Sequence, residues 1–168
     1  MRYILIVLSI LTMLFSTTSV ANANVIPEYQ KDYIEAVSKE YGLSSTLVYG
    51  VIMAESNFDC KADSGSSKGL MQLNKNTYPT LAKELGIEDF DVFDFEDNAL
   101  AGIYKLALER DYWLEQGYSD EDTFSAMLIS YNRGRAGAKR YIAKHGLNNS
   151  YVDKVLGYKC EFEQDGVI

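Results

Sequence analysis

Chemistry in this chain starts with one carboxylate out of place. Val48, Val51, Ile52 and Glu55 recur at helical spacing, so they share one helix face, and three of the four are apolar. The face of such a helix that carries Val and Ile is the buried one. An unpaired charge buried there is costly, so the group tends to keep its proton. Desolvation raises a carboxyl pKa, which makes Glu55 a candidate general acid near neutral pH. The bland alternative is an acid at a frayed helix end, pointing to water.

The residues around Glu55 form a pattern. Ser44 or Ser45 opens the helix as N-cap, and Glu55-Ser56 closes it. A polar loop follows, from Asp59 to Lys68, and then Gly69-Leu70-Met71-Gln72. Much later comes Ser130-Tyr131-Asn132-Arg133-Gly134. Glu-Ser, Gly-Leu-Met-Gln and Tyr-Asn-x-Gly, in this order and at compatible spacing, resemble the three motifs of the lytic transglycosylases of the soluble-lytic-transglycosylase type. The resemblance runs from about Ile34 to Leu156. Asn98, Ala101-Gly102 and Tyr104 fit the family's pattern as well. Ser130 stands where the family usually has Ala.

The resemblance implies a mostly α, single-domain, lysozyme-like fold with the catalytic Glu at the end of a core helix. It implies cleavage of the β-1,4 bond between N-acetylmuramic acid and N-acetylglucosamine in peptidoglycan, without water, leaving a 1,6-anhydro end. Glu55 would act as acid and then as base. Tyr131 is expected to hold the Glu55 carboxyl by a hydrogen bond and Asn132 to support the cleft wall. Gln72 would bind substrate, Met71 would line the cleft, and Ser64 is the best match for a residue that contacts the sugar N-acetyl group. No cofactor or metal is implied, and the partner is the glycan strand. Two other readings stay open: a hydrolytic muramidase on the same fold, with Asp59 or Asp63 as second carboxylate, and a non-catalytic wall-binding module.

Composition sets bounds. Residues 1–23 read as a secretory signal peptide: Arg2 is the positive start, Tyr3 to Phe15 the apolar core, and Ala21-Asn22-Ala23 the cleavage site. The apolar run falls short of the ~20 residues that span a membrane, so no stable insertion is expected after cleavage. Residues 24–168 then form one secreted or extracytoplasmic domain, expected to be a monomer. The net charge of −8 argues against nucleic acid as the main partner. A local exception is the cluster Arg133, Arg135, Lys139, Arg140 and Lys144, read as a solvated helix face or as a groove edge toward an anionic peptide stem or wall polymer. Cys60 and Cys160 are compatible with a disulfide in an exported protein.

The elements that must position the site are helices. Tyr29, Tyr33, Ile34, Val37 and Tyr41 keep helical spacing up to Gly42. A short helix is expected from Asn76 to Gly86, with Pro79 in its first turn. Asp97 or Asn98 would cap a long helix to about Trp113, in which the small Ala101-Gly102 step lets two helices approach. Ser119 opens the next helix with a capping box, Gly134 breaks it, and Ala136 to His145 resumes. The last helix, Tyr151 to Phe162, should turn Val152, Val155, Leu156 and Tyr158 inward. No strand pattern stands out.

Overall fold

A computed structural model describes residues 26–164. The expected signal peptide, residues 1–23, lies outside the described residues. Among the described residues six helices carry the fold: α1 Glu28–Glu40, α2 Ser45–Glu55, α3 Tyr78–Leu85, α4 Phe95–Glu115, α5 Asp120–His145 and α6 Ser150–Gln164. The mostly α expectation holds, with one small departure. Two antiparallel residue pairs, Ser67–Asn74 and Lys68–Leu73, join β1 Ser67–Lys68 to β2 Leu73–Asn74. A two-residue strand leaves too short an alternation to read in a sequence.

α2 is the central element. Leu47, Val48, Tyr49, Val51 and Ile52 are all buried, so the helix is wrapped on nearly every side. Its most extensive partner is α6. The two run antiparallel: Thr46 Oγ1 reaches Glu163 at one end and Glu55 meets Tyr151 at the other. Gly50 makes the approach feasible, because a Cβ there would lie 2.7 Å from the Val155 carbonyl oxygen. Val152 and Val155 of α6 are buried as expected, whereas Leu156 is exposed and Tyr151 takes the inward position instead. The inward face is thus rotated by part of a turn from the expected one. No disulfide ties α6 down: the thiols of Cys60 and Cys160 are both free.

α4 begins earlier than the sequence suggests. Asp94, not Asp97 or Asn98, is the N-cap, and its carboxylate accepts from the N–H groups of Glu96 and Asp97. Asn98 is therefore one turn inside the helix and fully buried, where it serves another purpose described below. α5 is broken at Gly134, whose φ of 68° and ψ of 155° no helix accommodates, so the chain resumes as a second helical segment in a new direction. Ser130, the departure from the family's Ala, is buried and donates to Glu109 at 2.6 Å, and Arg135 donates to the same carboxylate at 3.0 Å. No described helix is long and apolar enough to cross a membrane.

Candidate active site

Glu55 ends α2, and the backbone turns sharply after it. Asn57 and Phe58 both take positive φ, 54° and 63°, in the left-handed region that non-glycine residues seldom occupy. That reversal leaves the Glu55 side chain at the junction of two lobes of one cleft. One lobe, about 430 Å³, is lined by Glu55, Ser64 and Gln72 together with Asn57, Asp63, Lys154 and Tyr158. The other, about 490 Å³, is lined by the same three residues with Asn74, Lys105, Tyr131, Asn132 and Arg133. The acid thus stands midway along a groove open on both sides.

Burial raises the Glu55 pKa above the ordinary carboxyl value. Three groups oppose the rise: a hydrogen bond from Tyr151, then the charges of Lys105 and Lys154. The bond from Tyr151 Oη to Glu55 Oε1 is 2.6 Å long. Lys154 is fixed by donating its ammonium to the Ala54 carbonyl, 2.8 Å away. Lys105 donates to the Tyr131 carbonyl at 2.8 Å, and its nitrogen lies 3.6 Å from the centre of the Tyr131 ring. Burial lowers its pKa to about 8 against the pull of Glu109 and Glu55. The acid therefore sits between a hydroxyl donor and two ammonium groups, all of which favour the carboxylate once the proton has left.

The expected role of Tyr131 is corrected. Its hydroxyl donates to the Met71 carbonyl at 2.8 Å, 60 residues away, and not to Glu55. It braces the Gly-Leu-Met-Gln turn from behind while Tyr151 holds the acid. Met71 is also corrected: its side chain is fully buried and lines neither lobe. It fills the space over Gly102, where a Cβ would lie 2.2 Å from the Met71 sulfur. The small Ala-Gly step of α4 thus admits a side chain of the turn rather than another helix.

Gln72, Ser64 and Asn132 do line the cleft. Gln72 has a φ of 46°, and its amide nitrogen donates to the carbonyls of Ala62 and Gly69. The Ser64 hydroxyl donates to the Ser67 carbonyl and accepts from the Ser67 N–H, which closes the tip of the polar loop. Of the two acids weighed as a second carboxylate, Asp59 accepts from the Lys61 N–H. Asp63 is paired with Lys68 at 2.9 Å and accepts from Gly65, which holds its pKa below the usual range.

What holds the turn in register is Asn98. Its side-chain oxygen accepts from the Met71 N–H at 2.8 Å, and its nitrogen donates to the carbonyls of Val92 and Lys68. Gly69 is required beside it: with φ at 77°, a Cβ would lie 2.1 Å from the Asn98 nitrogen and 2.2 Å from the Val92 oxygen. Tyr151, Lys105 and Lys154 belong to none of the three motifs. One signal marks the first two, the same that marked Glu55: a polar group inside an otherwise packed helix face.

The model of the family described as Transglycosylase SLT domain matches residues 32–153 of this chain. Over 106 residues the chain is 41% identical to a protein named membrane-bound lytic murein transglycosylase F from Desulfosudis oleivorans, a stretch that is 60% of this chain and 21% of the relative. Its fold is similar to the X-ray structure of an inactive mutant of lytic transglycosylase Slt from Pseudomonas aeruginosa. That match has a TM-score of 0.68 at 19% identity and covers 82% of this chain and 24% of the other. The chain spans a quarter or less of the length of either protein.

Proposed function

Because the chain belongs to the transglycosylase SLT domain family, we propose that it is a peptidoglycan lytic transglycosylase acting outside the cytoplasm. Glu55 donates its proton to the oxygen between N-acetylmuramic acid and N-acetylglucosamine, and the bond from that oxygen to C1 breaks. The substrate's own N-acetyl group stabilises the cation that develops. Glu55, now a carboxylate, accepts the proton of the C6 hydroxyl as that oxygen attacks C1 and closes a 1,6-anhydro ring. The attack is intramolecular, so it depends on positioning rather than on a strong nucleophile. Gln72, Ser64 and Asn132 contact the sugars on either side of the acid. Tyr131 acts one step removed, through the Met71 backbone.

The observation that carries this reading is the half-buried acid standing midway along an open groove, its pKa raised by desolvation and with donors ready for its charged form. A polymer lying through the groove would place sugars on both sides of it. A hydrolase would need a second carboxylate free to activate water. Asp63 lines one lobe, but Lys68 and Gly65 already occupy its oxygens. Digestion of purified peptidoglycan followed by mass analysis is the deciding experiment. The expected fragments end in anhydro sugars, each lighter by one water than a reducing-end fragment. Reducing ends would make the protein a muramidase, and sacculi bound without release of fragments would make it a binding module.

Tyr151 gives a second handle. Its hydroxyl stabilises the Glu55 carboxylate, so Tyr151→Phe should raise the Glu55 pKa further. General-acid activity is lost as pH rises through that pKa, so the alkaline limb of the pH profile is expected to move upward. The rate at its optimum should fall roughly ten- to a hundredfold, since a hydrogen bond to a charged group contributes about 1.5–3 kcal/mol. An unshifted alkaline limb in a folded variant would argue that Glu55 is not the titrating acid.

A further inference from the structure

The chain carries a net charge of −8, yet no Asp or Glu occurs between Asp122 and Asp153. That interval holds five Lys and Arg residues, and the structure divides them into two groups. Arg135 and Lys139 turn toward α4: Arg135 is paired with Glu109, and both side chains lie over the Tyr112 ring. Arg133, Arg140 and Lys144 turn the other way. With Gly137, Tyr141 and His145 they line a shallow depression of about 520 Å³ that has no acidic residue in its wall.

The depression has a defined shape. Gly137 leaves its floor low, with Arg133 Cβ only 3.1 Å from where a Cβ of residue 137 would be. Tyr141 is fixed by donating its hydroxyl to the Asn148 carbonyl, and it is flanked by the Arg133 guanidinium at 4.5 Å and the His145 ring at 4.8 Å. Arg133 also lines the catalytic cleft. The depression and the cleft therefore meet at Arg133, one residue before the break at Gly134.

We propose that this depression binds carboxylates of the peptide side chains borne by the glycan strand in the cleft, an inference that rests on reading the cleft as a peptidoglycan site. Like-charged side chains gathered with no acidic neighbour ask for an anionic ligand, and guanidinium forks match carboxylates in a bidentate manner. The Tyr141 face offers apolar surface to a peptide backbone. Sharing Arg133 with the cleft favours an anion covalently attached to the bound strand over a separate phosphate-rich polymer, which would need no residue in common with the cleft.

The test uses Arg140→Gln with Lys144→Gln, a pair outside the catalytic cleft. Glycan strands with intact peptides are compared with the same strands after an amidase has removed the peptides. The double variant is expected to raise KM about tenfold on peptide-bearing strands, with kcat unchanged, and to match wild type on bare strands. Added salt should raise the wild-type KM on peptide-bearing strands more than that of the variant. Equal losses on both substrates, or none on peptide-bearing strands, would overturn the proposal, as would a loss that disappears when phosphate polymers are extracted from the wall. Titration of the protein with free stem peptide, followed by NMR, gives a readout independent of cleavage. Shifts at Tyr141 and His145 that weaken in the double variant are expected, and their absence counts against the site. Wild-type protein that cuts neither strand sinks the glycan reading, and the titration then decides the depression by itself.

Discussion

Glu55→Gln is expected to abolish detectable release of soluble fragments from purified peptidoglycan, a loss on the order of 10²–10⁴-fold or more for removal of a general acid that also serves as base. The amide keeps the shape of the side chain and can still accept from Tyr151, but it has no proton to give at the pH of the wall. Stability should move the other way. Burial raises the folded-state pKa of Glu55 above its unfolded value. Its favourable contribution is then fully present below the unfolded value and lost as pH rises through the folded one. At neutral and alkaline pH the wild type bears the cost of a buried charge that Gln never carries. Thermal melts are therefore expected to show the variant at least as stable as wild type there, with the difference vanishing in acid. Retained cleavage, or a variant markedly less stable at alkaline pH, would contradict the assignment.

Asn98→Ala is expected to have the largest effect on the fold. The side chain is fully buried and joins three backbone groups from two segments: the Met71 N–H, the Lys68 carbonyl and the Val92 carbonyl. Alanine leaves the Met71 N–H and the Val92 carbonyl without this partner in buried positions, and the Lys68 carbonyl in a part-buried one. Each stranded buried group costs about 1–3 kcal/mol, so the two buried ones alone cost about 2–6 kcal/mol, a large part of the stability of a domain this size. Asn98→Asp keeps the acceptor for Met71 but turns a carboxylate toward two carbonyl oxygens, so it should be no better. Urea denaturation reads the stability. Activity should fall with it, because the Gly-Leu-Met-Gln turn that presents Gln72 loses its support. A loss below about 1 kcal/mol would mean that Tyr131 and Gly69 hold the turn without Asn98.

Much of this was legible along the chain, and what was not has a common cause. Glu55 stands out because a carboxylate interrupts an apolar helix stripe, which is a local signal. The partner of Glu55 was misassigned to Tyr131 because both tyrosines end or begin packed helices, and nothing local says which hydroxyl reaches the acid. Crossing geometry settles that: Gly50 lets α6 settle close on α2, which rotates Tyr151 inward and Leu156 outward. The family resemblance places Met71 in the cleft, but its side chain fills the gap above Gly102, a contact between distant segments that no local signal reports. The start of α4 shifted because Asp94, Asp97 and Asn98 are all good caps. Only burial of Asn98, with three backbone groups to satisfy, distinguishes it. The two-residue strands are too short to leave a period.

The hydroxyl that steadies the acid comes from the last helix, 96 residues downstream of it. A nascent chain therefore contains Glu55, Gly69–Gln72 and Tyr131 well before it contains the residue that donates to the acid. Until Ser150–Gln164 has been synthesised and has docked on α2, the carboxyl lacks its hydroxyl partner, so the acid acquires its final environment only when that helix is in place.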